Sequence, residues 1–325
     1  MSTPAVSVVI PAFRVAGYIG ETLDSVLAQT CQDFEILVVN DGSPDTDALR
    51  AAVAPYRDRI VYLEQPQGGP SKARNTAIAN ARGDLLAFLD GDDLWAPAFL
   101  ASQLAILGRE RDAVLVWADS QPFGAGVDGP TLMTTEPPSG DCDAAALLTG
   151  RCVVFTSTVV ARRRAVVEAG GFDETLHRCE DFDLWLRLSR LGRLLYTRDV
   201  LGRRRLHPSS QSASPAAMLR AQIAVRRRFV RTTPVGDAVR RLAEEADARC
   251  EAEIALAEGH RLLAAGDASG ARQELTRAAQ SLPSLKLAAT LRLLAVAPSV
   301  AVALHRWRYG PQAQAAGQRG GRGRS

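Results

Sequence analysis

The stretch LLAFLDGDDLW, residues 85–95, joins an apolar run to a cluster of aspartates. Asp90, Asp92 and Asp93 follow five consecutive apolar residues, which is the pattern of a buried strand that ends in carboxylates. Carboxylates this close repel one another unless something positive lies between them. Gly91 lets the chain turn, so that Asp90 and Asp92 can face a common point. The stretch predicts a polar site just beyond the end of a strand.

The segments before this stretch alternate between strand and helix patterns. Strands are predicted at 6–10, 34–39, 59–65 and 84–89, and helices at 19–30 and 68–83. This order predicts an α/β fold, with a mainly parallel sheet covered by helices on both faces. Ligands bind beyond the carboxyl ends of such strands, and three polar segments reach that edge: 11–14, 40–43 and 90–93.

The rest of the chain divides by composition. Further strands are predicted at 113–118 and 152–161 and a helix at 180–191, with a Gly/Pro/Thr-rich loop at 119–142. We expect a catalytic domain over 1–213, a helical extension over 214–309 and a disordered Gly/Arg-rich tail over 310–325. Residues 258–283 predict two helices around a Gly-Asp turn, which resemble a single tetratricopeptide repeat.

Composition excludes several classes of protein. Of the 325 residues 46% are hydrophobic and 23% charged, and the net charge of +3 argues against a nucleic-acid partner. The N-terminus lacks the pattern of a signal peptide, and the apolar stretch 293–304 is too short to span a bilayer. The five cysteines form no CxxC pair, so we expect neither a zinc site nor a disulfide framework. These features predict a cytoplasmic protein.

The polar segments at the sheet edge contain the parts of a nucleotide site. Asp90 and Asp92 offer oxygen ligands that suit Mg²⁺ or Mn²⁺ bound together with substrate phosphates. Asp41 can accept a hydrogen bond from a pyrimidine base, and Arg74 at a predicted helix start can attract phosphate. Taken singly, each has a structural alternative. The Asp90–Asp92 pair can belong to a solvated turn in which Asp93 caps a helix, Asp41 can form an Asx turn, and Arg74 can lie on a helix surface.

Four segments in order resemble a family 2 glycosyltransferase of the GT-A fold. The resemblance covers residues 5 to about 210 and rests on VSVVIPAFRVAGYIGETLDSVLAQT (6–30), FEILVVNDGSPD (34–45), GGPSKARNTAIANARGDLLAFLDGDDLW (68–95) and GGFDETLHRCEDFDLWLRL (170–188). It implies a Rossmann-like sheet and a metal-dependent, inverting transfer of a hexose from a nucleotide sugar.

The resemblance also implies roles for particular residues. On the donor side, Pro11, Ala12 and Phe13 would line the nucleotide pocket, Asp41 would hold the base, Arg74 would lie near the diphosphate, and Asp90 would contact the ribose or the metal. Asp92 would bind the divalent cation, and His207 would contact metal or diphosphate. Asp181 would be the catalytic base with Glu180 beside it, although the pair also fits a helix N-terminus.

The expected reaction moves a sugar, with UDP-sugars the favoured donors, to a hydroxyl of a glycan or lipid-linked acceptor in cell-surface polysaccharide synthesis. An inactive nucleotide-binding scaffold whose helical C-terminus recruits partners is the alternative, and Asp92 and Asp181 argue against it. Residues 11–14 lack the glycine-rich turn of dehydrogenases and P-loop enzymes. The basic, amphipathic stretch 282–310 predicts either peripheral contact with the inner face of the membrane or packing on the catalytic domain.

Overall fold

The computed structural model describes residues 3–124, 141–207 and 214–318, with side chains up to residue 308. The chain divides into two compact units. The first comprises Met1–Ala213 and Arg228–Pro234, and the second comprises Ser214–Arg227 and Val235–Ser325.

The first unit contains one mixed sheet with helices around it. Its strands are β1 (Val6–Ala12), β2 (Phe34–Asp41), β3 (Val61–Gln65), β4 (Leu85–Phe88), β5 (Leu94–Trp95), β6 (Ala113–Phe123), β7 (Asp141–Cys142), β8 (Val159–Arg162) and β9 (Arg193–Arg205). The strand order is β3-β2-β1-β4-β8-β6-β9-β5, and β7 pairs with β9. The helices are α1 (Ile19–Leu27), α2 (Thr46–Val53), α3 (Pro70–Asn80), α4 (Phe99–Arg109), α5 (Ala144–Leu148), α6 (Arg163–Glu168) and α7 (Glu180–Leu188).

The first half of the sheet is parallel, as the sequence predicts. β1 lies between β2 and β4, and β3 continues the parallel set beside β2. The β-branched run Val6–Ile10 and most of β2 are buried, which is typical of parallel strands covered on both faces. α1 packs Ile19, Leu23 and Val26 into the same core. The carboxyl ends of β1, β2 and β4 therefore reach one edge with their polar residues.

The second half of the sheet differs from the predicted strands. β8 covers only Val159–Arg162, because Thr156–Thr158 form a 3₁₀ turn in which the Thr158 hydroxyl bonds backbone oxygens of Ala118 and Phe155. Strand β9 is 13 residues long and was not predicted, since its charged residues hide the apolar alternation. β9 runs parallel to β6, with irregular register around Asp119.

One disulfide corrects the expectation from cysteine spacing. Cys142 and Cys152 are bonded, with their Cα atoms 6.3 Å apart, while Cys31, Cys179 and Cys250 are free. Both bonded cysteines are buried beside α5, where the chain turns back on itself within ten residues. Spacing alone does not reveal such a local pairing, because it depends on how the loop folds.

The second unit is helical in the part that the structure describes. Its helices are α8 (Pro215–Thr232, whose last turn belongs to the first unit), α9 (Asp237–Ala265), α10 (Ala268–Ala279), α11 (Leu285–Val296) and α12 (Pro298–Gln318). The left-handed Gly266 ends α9, and the Asp267 side chain caps α10 by accepting from the Gly270 N–H at 2.9 Å. The described parts of the predicted loop and tail differ from the expectation, because residues 119–123 belong to β6, 141–142 to β7 and 310–318 to α12. Residues 125–140 and 319–325 lie outside the described residues.

None of the helices described is both long and apolar enough to cross a bilayer.

Candidate active site

A buried arginine lies between two of the carboxylates that the sequence brings to the sheet edge. Arg74 on α3 donates from one terminal nitrogen to Asp90 Oδ1 at 2.7 Å and from the other to Glu180 Oε1 at 2.9 Å. The side chain is only 6% exposed, and its guanidinium lies 5.2 Å from the centre of the Phe172 ring. Burial by itself lowers the pKa of Arg74, but the charges of Asp90 and Glu180 outweigh it, and the net pKa is raised. The guanidinium thus joins the end of β4 to the start of α7.

Asp41 determines where α3 begins. Its carboxylate accepts from Gln65 Nε2 at 2.7 Å and from the backbone N–H groups of Gly68 and Gly69 at 2.8 and 2.7 Å. Gly69 has a φ of 88°, a left-handed conformation that glycine adopts without strain, and Pro70 follows as the first helical residue. A carboxylate offers about four acceptor positions, so about one acceptor position of Asp41 remains after these three hydrogen bonds.

The loop after β4 is held by residues from two other parts of the first unit. Asp93 is buried and accepts from the Ser157 hydroxyl at 2.6 Å and from the Arg205 backbone N–H at 2.8 Å. Ser157 Oγ also accepts from the Asp90 N–H at 3.2 Å. Burial raises the pKa of Asp93 well above its usual range, and the negative charges of Asp90 and Asp92 raise it further. These bonds fix the turn at Gly91, where a Cβ atom would lie 3.0 Å from Val15 and 3.2 Å from the Pro11 carbonyl oxygen.

Asp92 and His207 form a close pair. His207 Nε2 lies 2.7 Å from Asp92 Oδ2, and the His207 ring packs against Tyr18 with 5.3 Å between ring centres. Burial and the charge of Asp90 raise the pKa of Asp92, against the opposing effect of His207. Arg205 supports the pair by donating from Nε to the Asp92 carbonyl oxygen at 2.9 Å.

The donor atoms present fit a divalent cation in part. A carboxylate oxygen and an imidazole nitrogen converge at Asp92 and His207. The carboxylate suits Mn²⁺ or Mg²⁺ bound together with phosphate oxygens, and the imidazole suits the transition metal Mn²⁺ better than the harder Mg²⁺. Asp90, expected as a further ligand, is hydrogen-bonded to Arg74 through Oδ1, and its side chain is 35% exposed. Within the described ranges, no three His, Cys, Asp or Glu side chains group closely enough to hold a metal by themselves.

Asp181 lies at the start of α7 beside Glu180. Its carboxylate accepts from the Thr156 hydroxyl at 2.9 Å and from the Phe182 N–H at 2.7 Å. Burial raises the pKa of Asp181 to about 6, with Glu180 adding to the rise and Arg74 opposing it. A carboxylate with such a pKa accepts a proton more readily than an ordinary aspartate and is still ionised at neutral pH.

The three donor-side residues at the end of β1 differ in exposure. Ala12 is fully buried, whereas Pro11 and Phe13 are partly exposed at the same sheet edge. Arg14 follows with a φ of 57°, and its N–H donates to Ser43 Oγ at 2.7 Å. This bond joins the end of β1 to the loop after β2, so the first two polar segments meet as predicted.

Three residues of the site were missed by sequence reasoning. Thr156 and Ser157 are neighbours on the 3₁₀ turn, and they hold Asp181 and the Asp90–Asp93 loop respectively. Arg205 contacts the same loop from the end of β9. The TST run was assigned to a strand, so its hydroxyls were not considered; the run of arginines before His207 was the available signal for Arg205.

Comparison with known proteins identifies the family of the chain. Residues 7–171 match the family described as Glycosyl transferase family 2. The chain is 29% identical to a glycosyltransferase of Rickettsia bellii over 221 residues, which are 66% of this chain and 31% of the relative. It is 42% identical over 117 residues to the succinoglycan biosynthesis protein ExoW of Rhizobium meliloti, covering 34% of this chain and 36% of ExoW. The chain thus spans only part of the length of these relatives.

Solved structures show the same fold at low sequence identity. TarS 1–349 of S. aureus in complex with UDP-GlcNAc has a TM-score of 0.64 at 17% identity, over 94% of this chain and 92% of that one. The mannosyltransferase PcManGT of Pyrobaculum calidifontis, in complex with GDP-Man and Mn²⁺, has a TM-score of 0.60 at 18% identity, over 94% and 87%. The fold is therefore of the GT-A type.

The contacts of Arg74 generate a stability prediction. Arg74→Met leaves the buried Glu180 carboxylate unpaired, and we expect a loss of about 3–5 kcal/mol in the free energy of unfolding. Arg74→Met combined with Glu180→Gln should lose markedly less, because no buried charge then remains without a partner. Urea denaturation of the single and double variants measures both effects.

Arg50→Met is the matched control for this measurement. Arg50 pairs with Glu64 at 2.7 Å, but the two side chains are 47% and 37% exposed. We therefore expect Arg50→Met to lose far less of the free energy of unfolding than Arg74→Met. Equal losses in Arg74→Met and in the double variant would contradict the assigned pairing.

Proposed function

The chain belongs to glycosyltransferase family 2, and from that premise we propose that it transfers a sugar, with inversion, from a nucleoside diphosphate sugar to an acceptor hydroxyl. The observation that carries the proposal is the bridge made by Arg74, which joins the donor-side carboxylate Asp90 to Glu180, the neighbour of Asp181. Thr156 and Ser157 support the same arrangement, because adjacent residues hold Asp181 and the Asp90–Asp93 loop.

We propose that the donor lies across the carboxyl ends of β1, β2 and β4. Pro11, Ala12 and Phe13 would line its base and ribose, and the remaining acceptor position of Asp41 would take a base N–H. A nucleotide with a diphosphate fits the donor side, and UDP is the favoured nucleotide since TarS 1–349 was solved with UDP-GlcNAc. Asp90 would contact the ribose or the cation, and Arg74 keeps the loop that carries Asp90 in place.

We propose Asp92 and His207 as the protein ligands of a divalent cation, Mn²⁺ or Mg²⁺. A cation bound there would act as a Lewis acid toward the diphosphate as it leaves. PcManGT was solved with Mn²⁺, which supports a cation in a protein of this fold. The close approach of the carboxylate oxygen to the imidazole nitrogen is the feature of this chain that suits it.

Asp181 is proposed as the general base. Its carboxylate takes the proton of the acceptor hydroxyl while the hydroxyl oxygen forms a bond to the anomeric carbon. The bond from the anomeric carbon to the diphosphate oxygen breaks at the same time, and its electron pair stays on the leaving diphosphate. Direct displacement on the face opposite the leaving group inverts the anomeric centre. The hydrogen bonds from Thr156 and the Phe182 N–H hold the carboxylate in one orientation.

The acceptor is proposed to be a glycan or lipid-linked hydroxyl in polysaccharide synthesis. The relationship to ExoW, which is named for succinoglycan biosynthesis, supports this class. We also propose a cytoplasmic location, although the Cys142–Cys152 disulfide weighs against it because such bonds are rare in a reducing compartment. Fractionation of expressing cells tests the location.

Replacement of the proposed base should separate chemistry from donor binding. Asp181→Asn removes the proton acceptor but keeps the size and much of the hydrogen bonding, so we expect a loss of about 10²–10⁴-fold in sugar transfer. Donor affinity should change by less than about threefold, since Asp181 faces the acceptor side in this account. Release of free nucleoside diphosphate with Mn²⁺, together with calorimetric titration of the donor, measures the two quantities.

Asp199→Asn, an exposed aspartate on β9, is the control and should keep full activity. The unaltered protein and Asp199→Asn could both bind nucleotides and yet release no nucleoside diphosphate from any donor. That result would favour the inactive nucleotide-binding scaffold.

The pH profile tests the environment of Asp181. A base with a pKa of about 6 is ionised above that pH, so kcat/KM should fall about tenfold per pH unit as the pH drops below 6. Glu180→Gln removes the negative charge that helps to raise this pKa, and the acidic limb should move to lower pH. An unchanged limb in Glu180→Gln would show that another group controls the profile.

We propose that α12 gives peripheral contact with anionic membrane. Val300, Leu304 and Trp307 follow one another at helical spacing and are 48%, 50% and 80% exposed, with arginines nearby in the sequence.

We expect weak flotation of the full chain with anionic liposomes, and this binding should be lost at high salt or in Trp307→Ser. The control Val153→Ser, which alters an exposed valine of the first unit, should keep it. No flotation of the unaltered chain at low salt would contradict the proposal.

A further inference from the structure

A cavity lies at the amino ends of the sheet strands, opposite the candidate active site. It has a volume of about 810 Å³ and is lined by residues at the amino ends of β1 and β4, among them Ala5 and Leu85. The candidate active site lies beyond the carboxyl ends of these same strands, so the whole length of β1 separates the two places. The proposed reaction makes no use of this cavity.

Four arginines line the cavity against one carboxylate. Arg111, Arg162, Arg163 and Arg164 are all lining residues, and the only acidic one is Asp84. Over the described stretches of the chain, no salt bridge within 4.0 Å involves any of these arginines, whereas eighteen such contacts are formed elsewhere. The positive charge at this edge is thus largely uncompensated by the protein.

Two of these arginines are fixed by the backbone. Arg162 donates to the carbonyl oxygens of Ala113 at 2.7 Å and Leu107 at 2.9 Å, and Arg163 donates to that of Gly83 at 2.7 Å. Carbonyl oxygens satisfy the donors without neutralising the charge. Burial lowers the pKa of Arg162, and the like charges of Arg164 and Arg111 lower it further, as expected where cations share a site without an anion.

The remaining wall of the cavity is apolar. Leu107 is buried, Leu104 and Leu85 are partly buried, and Val167 is 59% exposed although it is a large aliphatic residue. A small inorganic anion would leave these side chains uncovered. A ligand with both an anionic group and an apolar chain would use both parts of the lining.

We propose that this cavity binds a phosphate ester with an apolar chain, the phosphate on the arginines and the chain on the leucine and valine wall. Planar guanidinium groups match the spacing of phosphate oxygens and form charge-assisted hydrogen bonds with them. An ester of this kind could be a lipid, but the same arginines would accept free phosphate, so the experiment must separate the two. The proposal is independent of the proposed glycosyl transfer.

Calorimetric titration of the full chain with hexyl phosphate, inorganic phosphate and hexyl glucoside tests it. We expect hexyl phosphate to bind about tenfold or more tightly than inorganic phosphate, because its chain removes apolar surface from water, and the uncharged glucoside not to bind. The double variant Arg111→Glu with Arg164→Glu should bind hexyl phosphate about tenfold or more weakly than the unaltered protein. Val167→Ser should weaken the binding of hexyl phosphate and leave the affinity for inorganic phosphate unchanged.

The control is Arg57→Glu with Arg59→Glu, which makes the same change in net charge at exposed positions outside the cavity and should keep full affinity. Both arginine pairs are exposed, so each variant is expected to fold. Equal affinity for inorganic phosphate and hexyl phosphate would overturn the apolar part of the site. The site as a whole would be overturned if neither hexyl phosphate nor inorganic phosphate bound. It would also be overturned if the control variant lost as much affinity for hexyl phosphate as Arg111→Glu with Arg164→Glu.

Discussion

The buried guanidinium of Arg74 is the constraint on which the first unit's polar edge depends. The strands bring several carboxylates to one place, where they repel one another, and a cation from α3 makes the arrangement possible. Because one side chain bonds both Asp90 and Glu180, the end of β4 and the start of α7 cannot separate without exposing an unpaired charge. Asp41 extends the same network by fixing the glycines that start α3. The fold and the candidate site are therefore stabilised by the same bonds.

This network also distinguishes the carboxylates by environment. Asp90 and Glu180 are satisfied by Arg74, Asp93 by Ser157 and the Arg205 N–H, and Asp92 by His207. Asp181 has a hydroxyl and one backbone N–H, and Glu180 beside it raises its pKa. Similar side chains thus acquire different environments, and the proposed roles of Asp92 as a cation ligand and of Asp181 as the general base depend on that difference.

Sequence reasoning found the parallel half of the sheet and its polar edge because β-branched runs such as Val6–Ile10 and turn residues such as Gly42 are local signals. It also placed Arg74 and Asp181 among the candidates. It could not identify the partners of Arg74, since Glu180 is 106 residues away and the contact depends on tertiary packing. β9 was missed for a related reason: its arginines and aspartate hide the alternation, and pairing with β6 overrides the weak local preference. The disulfide likewise depends on the fold of one loop.

A crystal structure of the protein with an unreactive nucleotide sugar analogue and Mn²⁺ tests the central claim most directly. We expect the nucleotide to lie across the carboxyl ends of β1, β2 and β4, with the cation on Asp92 and His207. The anomeric carbon should face the carboxylate of Asp181, and Arg74 should still be bonded to Asp90 and Glu180. A nucleotide bound elsewhere, or one bound at this edge with Asp181 turned away from the sugar, would contradict it.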